Sequence, residues 1–253
     1  MSGCDRVSEG CGDPLALEPR PRGSGCYAEA LAERMRGTAA FPVGFDTVFK
    51  PWMLRKPRSK AWRPGRIFVN SMSDLFHRDF THDQIAQVFA VMLEERRHDY
   101  LILTKRPERM RAMIDRWLVE TELDQVPEHI WLGTSIELAK YRHRADVLRD
   151  IPVAVRFISF EPLLGPIDRH DAEDPAQRWD FDLTGISWAI VGGESGPGYR
   201  AMDHTWAHHI RDLCRQQGTA ASRSARQRWH DYDRGRAWRD AVGYGVIEAR
   251  VVE

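Results

Sequence analysis

The sequence has no long apolar segment, no excess of charge of either sign and few cysteines. No apolar run approaches the ~20 residues of a membrane-spanning helix, and the N-terminus lacks the apolar segment of a secretory signal peptide. Lysine plus arginine total 37, as do aspartate plus glutamate, so the net charge argues neither for nor against a polyanionic partner. We therefore expect a soluble cytoplasmic protein that does not bind membranes.

The four cysteines are too few and too unevenly placed to suggest a disulfide framework. Cys4, Cys11 and Cys26 all precede a helix-like segment, with six residues in the first gap and fourteen in the second. Three thiolates in one loop suit a metal ion or an iron–sulfur cluster with one open coordination position. A compact cluster loop normally has a shorter second gap, so ordinary reduced cysteines are the alternative interpretation.

Short apolar runs recur along the middle of the chain, separated by amphipathic segments. The runs are continuous, as in parallel strands buried on both faces, and they recur about every 25 to 33 residues, the length of a βαβ unit. They lie at 67–69, 101–103, 130–132, 155–158 and 188–191, and helices are predicted at 83–95, 107–118, 138–149 and 203–217. The pattern predicts an α/β fold with a parallel sheet, a TIM-like partial (β/α) barrel.

The two ends of the chain do not follow this pattern. Residues 12–25 are rich in proline, glycine and arginine, and the residues after Gly218 are polar and basic without apolar periodicity, although Val251 and Val252 could form a short strand. We therefore assign residues 1–218 to one partial-barrel domain, which includes the cysteine loop at 4–26. Residues 219–253 are predicted to form a divergent, poorly ordered tail.

Polar side chains follow each of the five predicted strands. Catalytic groups of (β/α) barrels collect at the carboxyl ends of the strands, because the βα loops converge there. We therefore predict that this rim binds cofactor or substrate, without singling out a catalytic residue. The candidates are Asn70, Ser71, Ser73 and Asp74 after the first strand, Lys105 and Arg106 after the second, Ser135 and Glu137 after the third, Glu161 after the fourth, and Gly192, Gly193, Glu194 and Ser195 after the fifth.

Some of these candidates have two readings. Lys105 and Arg106 could bind a carboxylate or phosphate, or they could form ion pairs with Glu137 or Glu161. The pair Gly192–Gly193 would let a ligand approach the backbone closely.

The histidines show no spacing typical of a metal site. The neighbours His208 and His209 lie on a predicted helix and face different directions. Together with His77, His82 and His98 they are predicted to be surface or capping groups. Cys214, on the same predicted helix, is expected to be buried as a small apolar residue.

Five longer motifs occur in order along the chain. They are FVNSMSDLFH at 68–77, LILTKRPERM at 101–110, WLGTSIE at 131–137, RFISFEPLLGPI at 156–167 and ISWAIVGGESGPGYRAMD at 186–203. Together they closely resemble a phage- and prophage-associated protein family of unknown function. That family carries an N-terminal three-cysteine motif and looks related to radical SAM enzymes. The resemblance extends over residues 3–218.

The resemblance implies a cofactor at the cysteine loop. Cys4, Cys11 and Cys26 would ligate three irons of a four-iron cluster, and the fourth iron would bind the amino and carboxylate groups of S-adenosylmethionine. Reduction would cleave the sulfonium and release a 5′-deoxyadenosyl radical that abstracts hydrogen from a substrate of unknown identity. The rim residues would hold the cofactor and the substrate.

Three features depart from the family pattern. The family's strand before the cysteine loop has no counterpart here, residues 12–25 read as an insertion, and the sequence after Gly218 diverges. The predicted function is therefore a radical-SAM-like iron–sulfur enzyme of unknown substrate, or a truncated or decayed copy of one.

A non-catalytic function is the alternative. In it, the chain is a phage accessory protein whose cysteines bind structural zinc and whose basic segments contact nucleic acid. Those segments are 55–66 and 223–239, and the second is interleaved with Trp229, Tyr232 and Trp238.

Overall fold

Parallel β-strands alternate with helices, as the apolar runs predict. The computed structural model describes residues 27–168, 179–194, 199–223 and 250–252. The strands are β1 (Gly65–Val69), β2 (His98–Thr104), β3 (Ile130–Ser135), β4 (Arg156–Phe160), β5 (Trp188–Val191), β6 (Ala220–Arg223) and β7 (Arg250–Val252). The α-helices are α1 (Tyr27–Arg34), α2 (His82–Glu94), α3 (Pro107–Thr121), α4 (His143–Arg149) and α5 (His204–Gln217), and short 3-10 helices occupy Pro51–Arg55 and Ala139–Tyr141.

All the strands belong to one parallel sheet with the order β6-β5-β4-β3-β2-β1-β7. Strands β1 to β6 curl into a half-barrel, which confirms the predicted partial (β/α) barrel. Val251 and Val252 lie in β7 beside β1, as expected from their sequence. No helix in the described part of the chain is long and apolar enough to span a membrane.

The sheet continues past Gly218, the predicted end of the barrel domain. Strand β6 pairs with β5 although its sequence, AASR, has no apolar run. Ala221 packs into the main core, and the Trp188 indole N–H donates to the Ser222 hydroxyl at 3.1 Å. This strand is therefore defined by its pairing with β5 and by the small Ala221 side chain, which packs against the core. An apolar run is not required.

The outer face of the sheet forms the main core with the helices. Alternate strand residues, such as Ile67, Tyr100 and Ile102, pack there with apolar side chains of α2, α3, α4 and α5. Helix α2 begins with a capping box, in which the Thr81 hydroxyl accepts from Gln84 N and the Gln84 side chain accepts from Thr81 N. This packing accounts for the 3.6-residue periodicity of the helical segments.

The opposite, inner face of the sheet carries a separate cluster in which aromatic rings predominate. Phe157 packs against Trp188 with ring centroids 5.7 Å apart, and Trp131 meets Trp188 edge to face at 6.3 Å. The ring of Phe157 lies over Gly133, its neighbour in register on β3, because a Cβ atom there would stand 2.5 Å from the ring. Glycine at this position therefore makes room for the inner aromatic layer.

We predict that Gly133→Ala destabilises the fold by about 1–3 kcal/mol, because the added methyl group overlaps the Phe157 ring. The measurement is the free energy of unfolding in guanidinium chloride. Gly65→Ala is the matched control, since its Cβ would meet only the Arg63 carbonyl oxygen at 3.9 Å. Adding Phe157→Leu to Gly133→Ala should recover part of the loss, and strictly additive effects of the two changes would contradict the overlap.

Burial of Cys214, predicted from the sequence, is confirmed: the thiol is fully buried, and burial raises its pKa from 9.0 to about 12. In a variant with Cys4, Cys11 and Cys26 changed to serine, we expect no reaction of the native protein with a thiol reagent at pH 8. The unfolded protein should react fully. The raised pKa also predicts that the contribution of the Cys214 thiol to stability is fully present below pH 9 and is lost as the pH rises towards 12. Rapid labelling of the native variant would show that the thiol is accessible.

Candidate functional site

The loop after β1 is tied to the end of β2 through the Asp74 carboxylate. Asp74 is buried and accepts from the Thr104 hydroxyl at 2.8 Å, from Phe76 N at 2.9 Å and from the Arg106 guanidinium at 2.7 Å. Burial raises the pKa of the Asp74 carboxyl group, and the Thr104 hydroxyl and the backbone N–H groups of Phe76 and Lys105 oppose that rise. The carboxylate therefore serves as a link between two neighbouring strand ends.

A second buried carboxylate joins β2, β3 and α4. Glu137 is 0% exposed, forms an ion pair with the Lys105 ammonium group and accepts from Arg144 Nη1 at 3.0 Å. The same Arg144 nitrogen donates to the Ser135 carbonyl at 2.8 Å, and its guanidinium lies 4.0 Å from the centre of the Tyr141 ring. Of the two roles considered for Lys105 and Arg106, the structure shows ion pairs, with Glu137 and Asp74 respectively.

The ends of β4 and β5 carry the remaining acidic candidates. The Ser159 hydroxyl donates to Glu161 Oε2 at 3.3 Å. Glu194 accepts two bonds from the Arg200 guanidinium, at 2.7 and 2.8 Å, and one from its backbone N–H. Gly192 bridges the two strand ends, because its N–H donates to Phe160 O at 3.2 Å and its carbonyl accepts from Leu163 N at 2.8 Å. These contacts draw the loops after β4 and β5 together.

Three serines form a row on the inner face near the rim, with Ile190 between the second and the third. The register pairs Ser135 of β3 with Ser159 of β4, and Ile190 of β5 with Ser222 of β6. Because Ile190 is also the partner of Ser159, these residues lie at one height on the sheet. The row stands one layer above Gly133, Phe157 and Trp188, so a polar edge meets an aromatic floor.

The turn after β1 provides a hydroxyl group with unused hydrogen-bonding capacity. Asn70 has a left-handed backbone (φ 61°), and its carbonyl accepts from Ser73 N at 3.2 Å. Ser71 is half-buried on the same turn. The Ser73 hydroxyl oxygen is buried and has no hydrogen-bond partner within the described part of the chain. Such an atom is expected to find a partner in a ligand or water.

Helix α1 packs against the loop that follows β1. Ala28 and Ala32 of the helix form a small buried cluster with Phe41 and Met72, and Met72 lies between Asn70 and Asp74. The helix begins at Tyr27, the residue after Cys26, and its buried residues lie beside the rim loop after β1. Cys4, Cys11 and Cys26 themselves lie outside the described residues, as does Ser195.

Sequence reasoning missed one group of polar side chains. Asp168, Asp180 and His209 each offer a ligand atom, and these atoms all lie within 4.8 Å of one another. They are remote in sequence and follow no motif, so no spacing signal could have found them. His209 also forms an ion pair with Asp168, which revises its predicted role as a simple surface or capping group.

Three other histidines, unlike His209, are not surface groups. His77, His82 and His98 are buried. His77 Nδ1 accepts from Asp79 N at 3.2 Å, and His98 Nε2 lies 3.3 Å from the Pro57 carbonyl oxygen. His77 thus bonds to a near neighbour in sequence, whereas His98 contacts a residue 41 positions away, and periodicity alone reveals neither contact.

The described geometry defines an α/β protein with a parallel half-barrel, a polar rim at the carboxyl ends of its strands and an aromatic inner face. The chain belongs to the family described as "Protein of unknown function (DUF5131)", whose match extends over residues 1–242. This confirms the predicted membership of a family of unknown function. A search of curated proteins gives no match.

We predict that Glu137→Gln lowers the free energy of unfolding by about 3–5 kcal/mol, because it removes the buried negative charge that pairs with both Lys105 and Arg144. Urea unfolding measures the loss. The control is Glu120→Gln, which breaks the exposed pair with Arg116 and should cost less than about 1 kcal/mol. Equal stability of the two variants would show that the Glu137 pairs contribute nothing to the fold.

Proposed function

We propose that the protein is a radical-SAM-like iron–sulfur enzyme whose cofactor and substrate bind at the rim and the inner face of the half-barrel. The observation that carries the proposal is the position of α1. The helix that directly follows Cys26 packs through Ala28 and Ala32 against Met72, in the loop at the carboxyl end of β1. The start of α1, which directly follows Cys26 in the sequence, therefore lies on the same side of the fold as the strand-end motifs.

The donor set suits the proposed cofactor. Thiolates of Cys4, Cys11 and Cys26 are the ligands that iron–sulfur clusters require, and three of them leave one iron open for S-adenosylmethionine. The buried Ser73 hydroxyl, on the turn beside Met72, is a polar atom that a bound molecule would satisfy. When bound, the cluster and S-adenosylmethionine supply the chemistry of radical hydrogen abstraction.

The chain's own residues supply shape and order at this site. The ion pairs of Asp74 with Arg106 and of Glu137 with Lys105 hold the loops after β1, β2 and β3 in place. With Arg144, which also pairs with Glu137, the two carboxylates offset most of the positive charge of the three cations. The serine row is better suited to orient a bound molecule by neutral hydrogen bonds, and Phe157 and Trp188 beneath it exclude water.

A zinc-binding, nucleic-acid-associated accessory protein is the second candidate function. It is favoured by the segment before β1, where Arg55, Lys60 and Arg63 are exposed and Trp52 is 48% exposed. Arg58 in the same segment forms an ion pair with Glu94 instead. The second basic segment, 223–239, lies almost wholly outside the described residues.

Anaerobic iron–sulfur reconstitution tests the leading proposal. We expect about four irons per chain and absorbance near ~400 nm in the parent protein, and loss of both in Cys26→Ala. Cys214→Ser is the matched control, because this buried thiol lies in the core and should not affect iron content.

Each outcome separates the candidate functions. A folded protein that takes up no iron would overturn the enzyme proposal. Retention of zinc by the same cysteines, together with salt-sensitive oligonucleotide binding, would support the accessory function instead.

A further inference from the structure

Two carboxylates and an imidazole converge beneath α5. Asp168 follows the loop after β4, Asp180 precedes β5, and His209 projects from α5. Their ligand atoms lie within 4.8 Å of one another. Ligand atoms bound to one metal ion at about 2.0–2.2 Å lie at most about 4.4 Å apart, so only small side-chain movements are needed to bring these three atoms onto one ion.

The surrounding structure fixes the segments that carry these residues. The Gln217 side chain, on α5, accepts from Leu183 N at 2.8 Å and donates to Phe181 O at 3.0 Å. Phe181, the residue after Asp180, packs edge to face on Phe160 at the end of β4, with ring centroids 5.5 Å apart. The helix with His209 and the segment with Asp180 are therefore held against each other independently of any ligand.

Burial makes this more than a surface cluster of acids. Asp168 is only 7% exposed and follows Ile167 in the main core, whereas the His209 side chain is 38% exposed and Asp180 is exposed. A carboxylate this far from water requires a cation or hydrogen bonds to offset its desolvation. The group thus has a buried anchor and an open side from which an ion can enter.

We propose that Asp168, Asp180 and His209 bind a divalent transition-metal ion. One imidazole nitrogen with two carboxylate oxygens suits Mn²⁺, Fe²⁺ or Zn²⁺, whereas Mg²⁺ and Ca²⁺ prefer oxygen ligands alone. Three protein ligands leave coordination positions for water or a small anionic ligand. This site uses none of the rim candidates and none of the cysteines.

Zinc titration by calorimetry tests the proposal, because Zn²⁺ stands near the top of the affinity order for such ligands. The parent is the full chain with Cys4, Cys11 and Cys26 changed to serine, so that thiolates do not compete. We expect one Zn²⁺ per chain and a zinc-dependent rise in melting temperature. His209→Ala and Asp180→Asn should each weaken binding by at least about 10-fold and reduce the thermal shift.

His208→Ala is the matched control, since it removes the neighbouring half-buried histidine of the same helix and should bind zinc like the parent. Asp168→Asn adds the buried ligand to the test. If it fails to fold, the variants at the two more exposed ligands still decide the question. Absence of saturable zinc binding, or equal affinity in the parent and His209→Ala, would overturn the proposal and leave an Asp168–His209 ion pair. Because this parent lacks the cysteines, neither result bears on the iron–sulfur proposal.

Discussion

Charge neutralisation between neighbouring strand ends is the interaction on which the rim depends. Two carboxylates, Asp74 and Glu137, are buried there, and each is paired with a cation from the segment that follows β2. The Thr134 hydroxyl extends the same link by donating to the Thr104 carbonyl at 2.9 Å. Since a buried charge is tolerated only with its partner, the loops after β1, β2 and β3 can keep their conformations only together.

The two faces of the sheet have different physical roles. The outer face forms a continuous apolar core with the helices, which stabilises the fold whatever the inner face contains. The inner face combines aromatic side chains with a row of serines. Gly133, which has no side chain, leaves room there for the Phe157 ring. The outer face can therefore stabilise the fold while the inner face is free to vary for ligand binding.

The sequence predicted the elements that have strong local signals. Continuous apolar runs located β1 to β5, and amphipathic periodicity located α2, α3 and α5 to within a few residues. Strand β6 escaped because alanine and serine carry no strand signal, and its position depends on pairing with β5. The rim candidates Asp74, Lys105, Arg106 and Glu137 were found because parallel strands must end on one side. Their pairing was not predictable, since it depends on which neighbouring loop each long side chain reaches.

The group formed by Asp168, Asp180 and His209 shows more clearly what the sequence cannot predict. Two of its residues lie in connections between strands, and the third differs from its neighbour His208 only by its position around a helix. The amino-acid sequence contains no pattern that links these three residues. Only the fold brings them together.

The packing of α1 separates the folding of the barrel from the docking of this helix. The helix is anchored by four buried residues, Ala28, Ala32, Phe41 and Met72, which form a cluster distinct from the main core. So small a contact opens at a lower free energy than the sheet itself. We therefore expect α1 to dock after the barrel has folded, so that any centre built on the residues before it would form late in assembly.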